Sequence, residues 1–403
     1  MKIATKLLSM MAIAGMLVFS ACSDDDDDTP AEEKDGQITG QNDPDLDAAA
    51  LQGDVTADVT LGASTSWVLS GPLSVKAGAT LTIEPGTNIT AIAGGTNVYL
   101  VVEAGAKINA AGTAAAPIVI TSSATSPAAG DWGGVVVCGL APISGGGTST
   151  TEVLPLSYGG TDAADNSGVI TYMTLEGTGA RINGEKEFNG FTFYAVGSGT
   201  TISNIVVNYG DDDGMEWFGG TVNVNNALVI NARDDMFDWT QGYTGTITNA
   251  YGIRKAGFTS VSEDTRGLEG DGNLDGNSPE QSGQSDITIN GLTIINEEAS
   301  VEFADLVKVR RGSKATITNM LVSDVSTASD FVDFTDRKGQ ATDDTTVSGN
   351  GTGAVVITDV KTESDFDDPA DGIQEDEMTD ATFTVSANAT GVAASVFSWT
   401  SLL

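Results

Sequence analysis

The side chains of this sequence best placed to do chemistry are carboxylates in two short runs. Asp211, Asp212 and Asp213 lead into Glu216, and Asp234 and Asp235 lead into Asp238. If a turn of a coiled chain takes about 22 residues, the step from Asp213 to Asp235 is one turn, and the two runs lie on each other roughly 5 Å apart, the spacing of neighbouring strands. Like charges stacked at that distance cost on the order of 3 kcal/mol per pair at an effective dielectric near 20. Relief can come from a bound cation, from a raised pKa that lets an acid keep its proton, or from a neighbouring base. Arg233 and Lys255 are at hand, Lys255 standing close to one turn beyond Asp235. Ligands that are all oxygen suit Ca2+. The two runs are therefore a candidate calcium site, with a solvated acidic edge as the alternative.

Composition removes many other chemistries. The chain has 403 residues and no His, so Ser-His-Asp and Cys-His catalysis and His-ligated metals are impossible within it. With 56 acidic against 18 basic side chains the net charge is −38, which repels phosphate backbones and excludes nucleic acid as an expected partner. Trp217, Trp239 and Tyr243 stand beside the acidic runs, and Trp217 and Trp239 are separated by the same step as Asp213 and Asp235. Flat rings next to carboxylates suit a sugar-binding groove, and equally the inward face of a packed coil. The stretch Glu263 to Asn277 alternates acids with Gly but lacks the order of an EF-hand, and is expected to be a solvated loop. Cys138 ends the apolar run Val135-Val136-Val137 and is expected to be a buried, unpaired thiol.

The elements that must hold these groups are short strands. From about Ser66 to Thr362 the apolar residues alternate in β-branched segments broken by Gly, Asn, Asp and Thr, with no helical period. One phrase recurs, aligned on Asn204, Asn226 and Asn249 at nearly equal steps, with further copies on Asn290, Asn319 and Asp359. A repeat of about 22 residues predicts an all-β, right-handed parallel β-helix, in which each coil satisfies its backbone through its neighbours and the recurring Asn forms a ladder at a turn. In the N-terminal half, Leu81 to Thr87 is echoed after a slightly shorter step by Leu100 to Ala106. The β-helix is expected over residues 61–403, closed by caps near Trp67 and at Phe397-Ser398-Trp399.

Residues 1–21 read as an export signal, with Lys2 and Lys6 before an apolar stretch and Cys22 after Phe19-Ser20-Ala21. This resembles a bacterial lipoprotein signal, which implies lipidation of Cys22. Asp24 to Asp28 then open an acidic flexible tether expected over residues 22–60. An acidic run behind a lipidated Cys resembles the surface-export signal of Bacteroides-group lipoproteins, which implies display on the outer membrane.

The phrases VKAGATLTIEPGTNI, AAPIVITS, GDWGGVVVCGLAPIS, DDDGMEWFGG and RDDMFDWTQGYTG together resemble a family of β-helical, pectin-lyase-like lipoproteins and secreted proteins of Bacteroidota. The resemblance implies that fold and an envelope location, and brings no settled activity. The DDDG and RDD arrangement is also similar to the polygalacturonases, in which paired aspartates act as acid and base. Asp213 would match the first of these and Asp234 and Asp235 the following pair, with Lys255 in a loosely similar basic motif. That family's His has no counterpart here. Pectate-lyase chemistry would instead use calcium with Arg254, Lys255, Arg266, Arg310 or Arg311 as base. The expectation is a lipid-anchored surface module, structural or binding a glycan or cation, and the rival is a carboxylate-dependent, calcium-assisted polysaccharide hydrolase or lyase.

Overall fold

A computed structural model describes residues 34–182, 186–260, 264–323, 328–352, 359–363 and 378–403. The expected leader, Cys22 and the Asp24 to Asp28 run lie outside the described residues. Within them, 25 strands join in one continuous set of parallel pairings, and each strand away from the ends bonds to the strand one coil before and one coil after. This is the right-handed parallel β-helix that the repeat predicts.

From Val135 on each coil contributes one short and one long strand. The coil before it has three short ones, Tyr99–Val102, Lys107–Ala111 and Ile118–Ser122, the last two pairing together with the long strand Gly168–Glu176. The short strands Val135–Cys138, Phe191–Tyr194, Met215–Phe218, Phe237–Thr240 and Leu268–Asp271 stack in register and continue into Phe303–Arg310 and Ala328–Asp333. The long strands Thr201–Asn208, Val224–Ile230 and Thr246–Arg254 are each bent at one residue of positive φ: Asn204 at 54°, Asn226 at 60° and Asn249 at 63°. Asn tolerates this left-handed corner better than most residues because its short polar side chain bonds locally. Here the bonds run between coils, Asn226 Nδ2 donating to Asn204 Oδ1 at 2.9 Å and Asn249 Nδ2 to Asn226 Oδ1 at 2.8 Å.

The register moves two of the repeats. Thr248 pairs with Asn290 and Ala250 with Leu292, so Gly291, at φ 83°, takes the corner rather than Asn290. Val360–Lys361 pairs with Val332–Asp333 on the short-strand face, so the copy on Asp359 belongs to another side of the coil. In the N-terminal half the echo of Leu81 to Thr87 in Leu100 to Ala106 joins different faces. Leu81 pairs with Ile108 and Leu73 with Leu100, so the coil is 27 residues long there, the same step that joins Lys76 to Glu103.

Inward side chains form one core along the coils. In the short strands they run Phe191, Met215, Phe237, Leu268 and Phe193, Trp217, Trp239, Gly270. The fold also begins earlier than residue 61. Gln37–Ile38 pairs with Leu51–Val55, which pairs with Trp67–Val75, and Ile38 and Leu51 are fully buried. Gly53 and Asp54 interrupt the apolar alternation there, which conceals the strand in the sequence.

Neither expected cap sits on an end. Trp67 opens a core strand, its Nε1 donating to Gly62 O at 3.0 Å. The C-terminal stretch runs back along the flank of the long strands, where Val392 and Phe397 pack with Val206, Leu228, Ile230, Tyr251 and Ile253. Val392 N donates to Thr293 Oγ1 at 2.7 Å and Gly391 N to Asn319 Oδ1 at 3.2 Å. It acts as a strap across several coils.

Candidate functional site

The outward side chains of the short strands form columns one residue wide. Val101, Val136, Thr192, Glu216, Asp238, Glu269, Lys308, Asp333 and Lys361 are consecutive register partners. The column is apolar at one end, acidic in the middle and alternating in sign beyond. Its apolar end is covered by residues 139–158, whose Ile143 and Tyr158 pack with Val101, Val136, Cys138, Tyr194 and Phe218. Cys138 is buried there as expected, and burial pushes its thiol up to about 12.

Where the column turns acidic, two cavities open on the face. The larger, about 500 Å³, is lined by Thr150, Tyr158, Phe218, Thr240, Asp271, Arg310 and Arg311 among others. The smaller, about 230 Å³, holds Arg181, Glu187, Asp212, Asp213, Asp234, Asp235, Asp264 and Arg266. Glu152, Glu216, Asp238 and Glu269 line both.

The predicted stacking is present. Glu216 pairs with Asp238 and Trp217 with Trp239, which sets Asp213 against Asp235 one coil apart. Asp235 N donates to Asp213 Oδ1 at 2.9 Å, and Arg266 N donates in turn to Asp235 Oδ1. Each aspartate thus caps an amide of the next coil, which fixes its carboxylate at the rim of the strand.

Most of the acids have a basic partner, and of the two expected bases Arg233 is among them and Lys255 is not. Arg181 spans Glu187, Asp211 and Asp212 at 2.8 to 3.2 Å, and Arg233 also pairs with Asp211. Arg266 reaches Asp264, Glu269 and Asp305 at 3.1 to 3.3 Å and Asp235 at 3.8 Å. Arg310 pairs with Glu269, Asp271 and Asp336. Lys255 is absent from the groove. Its Nζ donates to Leu402 O on the strap, because the coil after Asp235 is 31 residues long and brings Arg266, not Lys255, beside it. Arg254 is buried as well, its guanidinium 3.5 Å from the ring centroid of Phe303.

Asp213, Glu216 and Asp238 have no ion-pair partner among the described residues. One carboxylate oxygen of each lies within 4.8 Å of the others. A second trio with the same spacing is Asp212, Asp213 and Asp234. Asn189, 2% exposed, donates Nδ2 to Glu216 Oε2 at 2.5 Å and leaves its Oδ1 buried without a partner, as is Asp238 Oδ1. A buried oxygen with no donor is costly unless something positive meets it. Burial first, and then the neighbouring acids, push Asp213, Glu216, Asp235 and Asp238 well above the usual carboxylate range. Asp234, raised by burial and by Asp264, reaches about 6. Burial also acts on Glu269, but Arg310 and Arg266 outweigh it and hold that carboxyl below its ordinary value.

The rings take no part in the groove. Trp217, Trp239 and Tyr243 are fully buried in the core, Trp217 stacked on Tyr243 at 5.5 Å between centroids. Trp239 Nε1 donates to Ser313 Oγ at 3.0 Å and Tyr243 Oη to Val222 O at 2.8 Å. Strand alternation decides this, since Trp217 stands one residue from outward Glu216 and so must point in. The aromatic rings that do line the larger cavity are Tyr158 and Phe218. The Gly-rich stretch after Glu263 is not a solvated loop throughout. Leu268–Asp271 is a strand of the face and places Glu269 and Asp271 in the groove. Sequence reasoning misses these two because the longer coils, from Asp235 to Arg266 and from Arg266 to Asp305, hide the step that joins Asp213 to Asp235. It misses Asn189 and Glu152 because neither repeats.

The sequence profile of the pectate-lyase-like β-helix domain matches residues 53–402, nearly the whole described chain. The chain belongs to this family. No curated protein and no solved structure matches it significantly. Membership in the pectate-lyase-like family accounts for the coil architecture, and it assigns no reaction.

Proposed function

We propose that this protein is a binding module that holds a calcium ion on Asp213, Glu216 and Asp238 and, through it, a polysaccharide in the groove. The observation that carries this reading is the set of three clustered carboxylates without a basic partner, beside an Asn189 carbonyl oxygen without a donor. Nearby acids are neutralised by Arg181, Arg266 and Arg310, so this gap is local and oxygen-lined. Calcium accepts six to eight oxygen ligands in flexible geometry, which suits a floor of carboxylates and an amide. Titration calorimetry of the full mature chain with CaCl2 tests it. Binding that is lost in Asp238→Asn is expected, and no heat with the wild type would overturn it.

Cys22 is proposed to carry the lipid that anchors the module in the outer membrane, facing outward behind the acidic run. Radiolabelled palmitate incorporated by the wild type and not by Cys22→Ser, together with cleavage by protease added to intact cells, is the expected result. A protein untouched by protease on intact cells would count against outward display.

A second reading, a carboxylate-dependent hydrolase or lyase, is favoured by one contrast. Burial, followed by Glu269, raises Asp235, while Arg310 and Arg266 outweigh burial and hold the neighbouring Glu269 low, so two acids shifted in opposite directions share the groove. Incubation with uronic-acid and neutral glycans, with and without calcium, separates the two readings. Reducing ends or unsaturated products that disappear in Asp213→Ala or Asp235→Ala would establish catalysis, and calcium-dependent melting without turnover supports the module.

A further inference from the structure

The acids of the groove floor all stand on one sheet face, so a cation resting on them is open on its far side. Glu187 reaches the smaller cavity and Asp275 the larger from outside that face, and of the four carboxylates that line both cavities only Glu152 comes from another element. It lies between Ser149–Thr150 and Ser157–Tyr158, two strands paired antiparallel in a fold whose other strand pairings are parallel. This hairpin is an excursion from the coil that follows Cys138.

Three features mark the hairpin as a movable cover. It is entered through Gly145, Gly146 and Gly147, all in the left-handed region with φ of 74°, 72° and 76°, and a Cβ added at Gly146 or Gly147 would meet nothing within 4 Å. Gly145 N and Gly146 N are held by Ser282 O and Ile143 O, both at 2.9 Å, and Gly147 beyond them is the residue about which the backbone can turn. Its far end is rooted, since Tyr158 Oη donates to Gln241 Oε1 at 2.5 Å and its ring lies 4.7 Å from that of Tyr194. Between pivot and root, Glu152 N donates to Tyr194 Oη at 3.3 Å, which hangs the residue over the floor.

Glu152 has no ion pair and accepts no hydrogen bond on its carboxylate among the described residues. The charged groups that face it are Glu187, Asp275 and Lys186, together with Glu216 and Asp212 of the floor. All but Lys186 are acids, so Glu152 is held over the groove with little of opposite charge to meet it. With Glu216, Asp238 and Glu269 it lines both cavities, and of those four only Glu269 is neutralised by arginines. The independent sign of a ligand at this junction is Asn189, buried, bonded to Glu216, and with its Oδ1 unmatched.

We propose that Glu152 is a further ligand of the groove cation, so that metal binding draws hairpin 149–158 down as a lid over the larger cavity. This rests on the cation reading given above. A ligand held on a pivoting hairpin makes ion occupancy and access to the cavity one equilibrium, because the lid gains its contact only when the ion is present. A polysaccharide would then enter and leave the open groove of the ion-free protein and be retained beneath the closed hairpin of the ion-bound one.

The test uses the full mature chain as wild type, Glu152→Gln and Asp238→Asn, with Ca2+ as the probe. Calorimetry gives affinity and hydrogen exchange gives the protection of residues 149–158. We expect calcium to slow exchange in the hairpin of the wild type. Glu152→Gln should bind about tenfold more weakly, as loss of one ligating or supporting group does, and its hairpin should exchange at the same rate with and without calcium. A Glu152→Gln protein that binds calcium as the wild type does, or a wild-type hairpin indifferent to calcium, overturns the lid. If at the same time Asp238→Asn abolishes binding, the floor site stands and only the lid fails. A wild type that binds no calcium removes both.

Discussion

Asn226 shows how a single side chain type turns a corner and joins the coils. Its φ of 60° is unfavourable for an ordinary L-residue by roughly 1–2 kcal/mol, and its amide both donates to Asn204 and accepts from Asn249. Asn226→Ala removes two hydrogen bonds worth roughly 0.5–1.5 kcal/mol each and keeps the backbone cost, so a loss of about 2 kcal/mol is expected in urea unfolding. Asn226→Gly relieves the backbone and should cost about half as much. Equal losses would mean that the corner geometry contributes nothing. Gly270 makes the opposite point, because it is the place where a stack of rings must stop. It follows Trp239 in register, and a Cβ there would overlap that indole. Gly270→Ala must displace a buried ring, so destabilisation of about 3 kcal/mol or more is expected, with a lower melting temperature as the readout.

At the scale of elements, what is legible in the sequence is what repeats. The steps of 22 and 23 residues on Asn204, Asn226 and Asn249 define the coil. With the coil come the stacking of Asp213 on Asp235 and of Glu216 on Asp238. Where the coil lengthens, the period no longer identifies neighbours, and it places Lys255 beside Asp235 where Arg266 in fact stands. Period alone also leaves the direction of a side chain open until the strand's start is known, which is why Trp217 and Trp239 can be read as a sugar platform. Elements that occur once, the hairpin bearing Glu152 and the C-terminal strap, leave no periodic trace. The strap carries its own prediction. Phe397 is fully buried against Tyr251, with ring centroids 5.8 Å apart, and bridges strands of successive coils. Phe397→Ala should cost about 3–5 kcal/mol, as loss of a buried phenyl ring does. Because the strap lies on the flank away from the groove residues, calcium affinity should be unchanged in the folded variant, and a matched loss of affinity would show the two faces to be coupled.

For the whole molecule, the concentration of acids makes stability a function of pH in a direction unusual for carboxylates. Free Asp and Glu titrate near pH 4, and that is the value the unfolded chain restores. In the folded chain burial, followed by Asp264, raises Asp234 to about 6, and burial, followed by Glu187 and Asp275, raises Glu152 to about 7. Between about pH 4 and 7 the folded chain therefore binds more protons than the unfolded one, and stability falls as pH rises across that window. The stability these two groups contribute is complete below about pH 4 and is lost as pH passes 6 and then 7. Asp336 and Glu269 act in the opposite sense. Burial opposes ionisation in both, but Arg310 outweighs it and lowers their pKa, so their contribution disappears only in stronger acid. The metal-free protein should accordingly melt at its highest temperature near pH 5 and several degrees lower at pH 8. Calcium competes with protons for the same oxygens, so its stabilising effect should be small at pH 5 and large at pH 8. Scanning calorimetry in EDTA and in excess calcium across this range checks both statements. A melting temperature in EDTA that is flat or rises from pH 5 to 8 would mean that the groove acids are already ionised and matched by the arginines, leaving no unmet charge for a cation to answer.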